Sequence, residues 1–344
     1  MQNSRVVNPA HRSIATIGGG SGQFVLLSAL RDAENLDVSA IVSMTDSGGS
    51  TGRLRDELGI LPPGDILKCI LALSPHRDMA RKLLLKRFTG NQRLRGHSAG
   101  NMLLTMLSQY SGSFSTGIEA LAQLLDVRGE ILPVTTDKST LVAQLTNGEQ
   151  IFGESAIDVP RGNQRQKIAN VFLVPHHSDQ ITVFPRVIER LRQVKAVILG
   201  PGDLYTSIIP NLLVPGVREA LQKSPAKLIY ISNIMTKFGE TDGYTLESFV
   251  SILEHYIGRS VDCIIYNNAT ASEETLKNYR KQRSMPVKIA NHKKLAKHYE
   301  IVEADLLEQD SGIIRHNVEK LANILHPYLE DDEKIASRVR QTKA

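Results

Sequence analysis

One stretch, Gly18-Gly19-Gly20-Ser21-Gly22, constrains the fold more than any other in these 344 residues. It follows directly on the apolar run 13–17 (SIATI) and leads into a helical pattern over 24–31. Glycines between a strand and a helix let the backbone turn tightly and come close to a ligand. The start of the helix adds free N–H groups and the positive end of its dipole. A second apolar run at 38–42 (VSAIV) completes the opening of a βαβ unit. The loop is not the dinucleotide fingerprint, because Gln23 stands where a glycine is needed and no acidic residue closes the second strand. That sets back an NAD-dependent dehydrogenase. Nor is it a P-loop, since no Gly-Lys-Ser/Thr follows. Taken alone, the motif leaves a plain tight turn open.

The rest of the chain extends the same pattern. Runs at 196–200 (AVILG), 227–232 (KLIYIS) and 262–267 (DCIIYN) are apolar throughout, as parallel strands buried on both faces are. Helices are expected at about 185–194, 216–222, 245–257 and 317–329. The stretch 44–65, rich in Gly, Ser, Asp and Pro, reads as a long functional loop, and 66–125 reads as helical. Over 131–175 the pattern becomes an antiparallel hairpin turning at Asn147-Gly148. The expectation is an α/β fold: a doubly wound, mostly parallel sheet, with a helical and hairpin insertion at about 66–175. One domain spans 13–330, with flexible termini at 1–12 and 331–344.

Further segments carry candidate chemistry. Asp46-Ser47-Gly48-Gly49-Ser50-Thr51 ends the second strand beside the first glycine loop, where hydroxyls and glycine amides suit phosphate oxygens. Asp46 is the candidate Mg²⁺ ligand, since Mg²⁺ takes one or two carboxylates plus phosphates. Asp65 is read equally as a helix N-cap or a ligand contact. Gly200, Gly202, Asp203 and Thr206 follow AVIL, and Asn233 follows KLIYI. In a parallel sheet all these loops share one edge, so they are expected to converge on a single crevice. Gly96-His97-Ser98-Ala99-Gly100 fits G-x-S-x-G, but the polar FTGNQRLR before it is no strand, so Ser98 is read as an N-cap rather than a nucleophile. His97 and Asn101 lie about one turn apart and are candidates to face a ligand.

Composition excludes several classes. The net charge of +5 suits an anionic ligand, while 5% aromatics and no tryptophan argue against a nucleic-acid stacking platform. Arg81, Lys82, Lys86, Arg87, Arg93 and Arg95 read as a solvated helix face. Cys69 and Cys263 have no C-x-x-C partner, and neither His176-His177 nor Glu254-His255 has a metal-site frame. No window reaches the length of a membrane span and no signal-peptide core opens the chain, which points to the cytoplasm.

The segments GGGSG, TDSGGSTGRLRDELGILPPGD, GHSAGN, GES (153–155), LGPGDLYTSIIPNLLVPGV and SNIMTKFGETDGYT, in this order, resemble the bacterial gluconeogenesis factor family. That family belongs to the CofD-like superfamily with 2-phospho-L-lactate transferase. The resemblance implies a modified Rossmann-type fold, commonly dimeric, and binding of a nucleotide sugar of the UDP-N-acetylglucosamine kind. It also implies a link to carbon metabolism and cell shape, with no established turnover. It places the UDP-sugar site at Tyr279 (in LKNYRKQ) and Arg315 (in IIRHNVEKLA). Where relatives often carry two adjacent aspartates in the second loop, this chain has Asp46-Ser47, which weakens the Mg²⁺-dependent transferase alternative.

Overall fold

The computed structural model describes residues 12–58, 60–90, 94–160, 162, 164–176, 179–308 and 312–329. Seven parallel strands form the central sheet: β1 (Arg12–Gly18), β2 (Leu36–Val42), β3 (Glu130–Pro133) and, after three strands that lie elsewhere, β7 (Ala196–Leu199), β8 (Lys227–Ile231), β9 (Cys263–Asn267) and β10 (Glu300–Ala304). Their order is β10-β9-β8-β7-β1-β2-β3. The chain runs outward from β1 through β2 to β3, then returns to β7 beside β1 and runs outward the other way. The strand order therefore reverses between β1 and β7. The loops leaving their C-terminal ends, 18–22 and 200–207, are the ones the reversal splays apart.

The intervening strands β4 (Ser139–Leu145), β5 (Gln150–Phe152) and β6 (Ile168–Pro175) form a separate antiparallel sheet in the order β5-β4-β6. The β4–β5 hairpin turns at Asn147-Gly148, with Gly148 at φ 87°. Helices α1 (Gly20–Leu30), α2 (Gly49–Leu58), α3 (Gly64–Leu73), α4 (Arg77–Leu84), α5 (Ala99–Tyr110), α6 (Phe114–Leu124) and α7 (Glu154–Asp158) lie in the first half of the chain. After them come α8 (Pro185–Gln193), α9 (Ile209–Leu212), α10 (Val217–Lys223), α11 (Leu246–Ile257), α12 (Glu273–Lys281), α13 (His292–Leu295) and α14 (Val318–Leu329). One continuous apolar core joins both faces of the parallel sheet to the inner face of the small one.

Three expectations change. The stretch 44–65 is not all loop: α2 forms within it, because Thr51 and Leu54 are buried and tertiary contact overrides a Gly/Ser-rich composition. Residues 130–133 belong to the main sheet, paired with β2, so the hairpin begins only at 139. Strand β10, unread in the sequence, forms an edge; Glu300 and Glu303 are exposed, and the run lacks the all-apolar signature of a central strand. The expected flexible termini fall outside the described residues, apart from Arg12, which begins β1. No helix is long and apolar enough to cross a membrane among the described residues.

Candidate functional site

A cleft of about 850 Å³ opens at the C-terminal edge of the sheet, at the strand reversal. Its near wall is the first glycine loop and the start of α1. A side chain at Gly22 would put its Cβ 2.1 Å from the Pro201 carbonyl oxygen, so only glycine lets the two switch-point loops touch. The Gly20 N–H, at the helix start, donates to Asp65 Oδ2 at 2.8 Å, and Lys68 Nζ donates to Asp65 Oδ1 at 2.9 Å. Asp65 is thus neither the N-cap of α3, a place taken by Pro63, nor a free carboxylate. It holds the backbone position expected of a bound anion.

Negative charge gathers beside it. Asp46 Oδ1 accepts from the Gly48 N–H at 2.8 Å, and burial together with the charge of Asp65 raises the Asp46 carboxyl above the usual range. Glu154, opening α7, is pushed up to about 7, by burial first and then by Asp46 and Asp158. Ser47 faces α7 and ties the second loop to it: its Oγ accepts from the Ser155 N–H at 3.0 Å. A group whose folded-state pKa is raised favours folding below its unfolded value and loses that contribution as pH rises through the folded one. Glu154→Gln is therefore expected to gain stability on wild type by on the order of 1 kcal/mol between pH 5 and pH 8, read by urea denaturation at both. A constant difference across that window would exclude the titration.

The second switch-point loop forms a wide helical turn, Leu204–Ile208, in which the Ile208 N–H reaches back five residues to the Asp203 carbonyl at 3.1 Å. Asn233 braces this loop by donating from Nδ2 to the Gly202 carbonyl at 2.8 Å. Asp203 is joined to Asp158 and Glu240 in a cluster whose carboxylate oxygens lie within 4.8 Å of one another. Lys237 Nζ sits among them, paired with Asp158, with Asp203 at 2.8 Å and with Glu240 at 3.2 Å. Burial would lower the Lys237 ammonium, but Glu240, Asp203 and Asp158 together raise it above the ordinary lysine range. Glu240 is pushed up to about 8, by burial first and then by Asp203. The chain's own ammonium thus supplies the cation that such a carboxylate set attracts.

Tyr279, Lys281, Arg283, Arg315 and His316 also line the cleft. The Tyr279 hydroxyl, in the last turn of α12, accepts from the Ile314 N–H at 2.9 Å and so fixes the segment that bears Arg315. Arg315 is exposed and forms no ion pair among the described residues. Burial pushes the imidazole of His316 down to about 4, against a hydrogen bond with the Ser232 backbone, so it stands neutral beside the guanidinium.

Of the residues singled out in the sequence, Gly19, Gly20, Ser21, Gly22, Asp46, Asp65, Gly202, Asp203, Thr206, Asn233, Tyr279 and Arg315 line this one cleft. Gly18 at the end of β1, Gly48 and Gly200 in loops, and Gly49 and Thr51 in α2 are not among its lining residues, and the Ser50 side chain lies outside the described residues. His97 and Asn101 do not reach the cleft; both are buried at the start of α5. Ser98 caps that helix, its hydroxyl accepting from the Asn101 N–H at 3.2 Å. Ser98→Ala should cost about 1 kcal/mol in thermal or urea unfolding. A stability-neutral substitution would show the cap to be idle. Sequence reasoning missed Lys68, Glu154, Asp158, Lys237, Lys281, Arg283 and His316. Lys68 lies one helical turn beyond Asp65, and Glu154, Lys237 and His316 fall inside the quoted segments GES, SNIMTKFGETDGYT and IIRHNVEKLA, which is the signal that could have found them.

Comparison with known proteins agrees with this geometry. The family model described as 2-phospho-L-lactate transferase CofD matches residues 14–307. The Bacillus subtilis gluconeogenesis factor is 38% identical over 319 residues, covering 92% of this chain and 98% of that protein. The Halalkalibacterium halodurans gluconeogenesis factor is 36% identical over 331 residues, covering 96% and 99%. An X-ray crystal structure of a Bacillus halodurans protein superposes with a TM-score of 0.85 at 34% identity, covering 92% of this chain and 99% of that one. Matched by that family model over 14–307 and by relatives over almost their whole length, the chain belongs to the CofD family, on the branch of the gluconeogenesis factors.

Proposed function

We propose that the cleft binds a nucleotide sugar of the UDP-N-acetylglucosamine kind. In this reading the protein is a cytoplasmic, homodimeric binding or regulatory protein that links its ligand to carbon metabolism and to cell-shape and envelope maintenance. One observation carries the reading: a glycine-lined helix start and a guanidinium without an ion pair among the described residues, with Tyr279 beside it, line a single cleft. A cleft of about 850 Å³ lies within the size range of small-molecule sites. Arg315 would take phosphate oxygens, since a guanidinium pairs with them in a two-pronged fashion, and the Tyr279 ring offers a flat face to a base or sugar. The name of the gluconeogenesis-factor relatives supports the link to carbon metabolism.

The charge beside the glycine loop favours a second reading, a Mg²⁺-dependent transferase of a nucleotide-activated phospho-acid. The family description supports it too. Asp65 already takes the Gly20 amide and raises the Asp46 carboxyl. An anion reaching that loop would therefore meet two carboxylates unless a cation came with it. Asp46 and Asp65 suit Mg²⁺, which would neutralise phosphate charge there. Ser47 in place of a second aspartate reduces the donor set.

Calorimetric titration with UDP- and GDP-linked compounds, with and without Mg²⁺, separates the two. Saturable binding of UDP-N-acetylglucosamine that persists without Mg²⁺, and with the ligand recovered intact, supports the binding protein. Mg²⁺-dependent transfer of the phospho-acid from a nucleotide-activated donor to a hydroxyl acceptor, with release of the nucleoside monophosphate, supports the transferase. No binding of any nucleotide sugar would overturn the first reading.

A further inference from the structure

Helix α4 buries only Ala80, although its sequence, RDMARKLL, carries three large apolar side chains. Met79 and Leu83, one turn apart, are 65% and 62% exposed, and Leu124 on α6 is 69% exposed. Between α4 and α6, over a floor formed by Leu103 and Leu121, runs an apolar groove of about 330 Å³. A contiguous apolar patch of this kind on a folded chain marks an interaction surface.

Charge says what fits it. Lys82 stands three positions beyond Met79 on the same side of α4, and Lys86 follows two residues past the end of the helix. Both are exposed, and neither forms an ion pair among the described residues. The neighbouring cations are engaged: Arg77 pairs with Asp78 at 3.4 Å, and Arg81 stacks over the Phe24 ring at 5.2 Å. Among the described residues, the α4 side of the groove is thus bordered by two lysines without an ion pair, while His76, which lines the groove, faces Asp126 at 3.6 Å. The groove lies one helix away from the cleft. On α3, Asp65 and Lys68 face the cleft, while Leu67 packs against α5 so closely that a Cβ at Gly100 would come within 2.5 Å of it.

We propose that this groove docks an amphipathic helix of a partner protein, with aliphatic side chains at helical spacing in the groove and a flank of carboxylates facing Lys82 and Lys86. Grooves between helices take partner helices in this way, and opposite charge sets their register. A second copy of the chain is the poorer fit, because a two-fold contact would bring two cationic α4 faces together.

The probe is a fluorescent synthetic helix with leucines at i, i+4 and i+7 and glutamates on the flanking positions, compared with a twin carrying lysines in place of the glutamates. Titrated with the full chain and read by anisotropy, the glutamate helix should bind and the lysine helix should not. Leu83→Asp should weaken binding by about tenfold or more. The double variant Lys82→Glu/Lys86→Glu should reverse the preference between the two helices. Its changes are confined to exposed side chains, so it carries the test if Leu83→Asp fails to fold by circular dichroism. Equal binding of both helices, binding of neither, or a preference that the double reversal leaves unchanged overturns the proposal. A wild-type dimer split by Leu83→Asp in sedimentation would overturn it in favour of a second copy. Co-sedimentation with anionic vesicles, lost in both variants, would overturn it in favour of a lipid surface.

Discussion

Arg315→Ala is expected to weaken UDP-N-acetylglucosamine binding by about ten- to a hundredfold with the fold intact. A charge-assisted pair with a phosphate is worth roughly 1.5–3 kcal/mol, which converts to that range. The fold should be indifferent, because Arg315 is exposed and its strand contact, Arg315 with Glu308 in a two-stranded ribbon, runs through the backbone. Tyr279→Phe offers the contrast. It removes the hydroxyl that accepts from Ile314 while keeping the ring, so its cost should come through misplacement of Arg315 and stay smaller. Calorimetric titration of the three proteins checks the ordering. Unchanged affinity in Arg315→Ala would remove the ligand from this part of the cleft and shift the case toward the glycine loop and a Mg²⁺-assisted transferase.

Lys237→Met should destabilise the protein by about 3 kcal/mol, the low end of the range for stranding a buried charge. The methionine keeps the length and apolar stem of the side chain but leaves Asp158, Asp203 and Glu240 facing one another with no cation between them. The low end applies because the lysine side chain is still 30% exposed and water screens part of the repulsion. The loss should shrink at low pH, where the carboxyls take up protons, and grow as pH rises through the value of about 8 to which Glu240 is pushed. Because Asp158 ends α7 and Asp203 opens the switch-point turn, the substitution should also loosen the wall between them, seen as faster hydrogen exchange in both segments. A change of less than about 0.5 kcal/mol in urea unfolding would show the cluster to be solvated surface charge.

How much of this was legible beforehand depends on how far apart the interacting residues lie. The apolar runs ending in glycine loops, the Asn147-Gly148 hairpin and the cap at Ser98 are signals carried within a few residues, and each was read correctly from the chain alone. The doubly wound order also followed, because strands that are apolar throughout need helices on both faces, and loops at their C-terminal ends then share one edge. Helix α2 was misread because its composition is that of a loop, and only burial of Thr51 and Leu54 against the rest of the molecule makes it helical. The chemistry of the cleft was decided later still. Asp65 meets Gly20 across 45 residues, and Lys237 meets Asp158 across 79. Periodicity and turn chemistry are local properties. Which carboxylate a buried amide or ammonium finds is set by strand order, and strand order exists only once the sheet has formed.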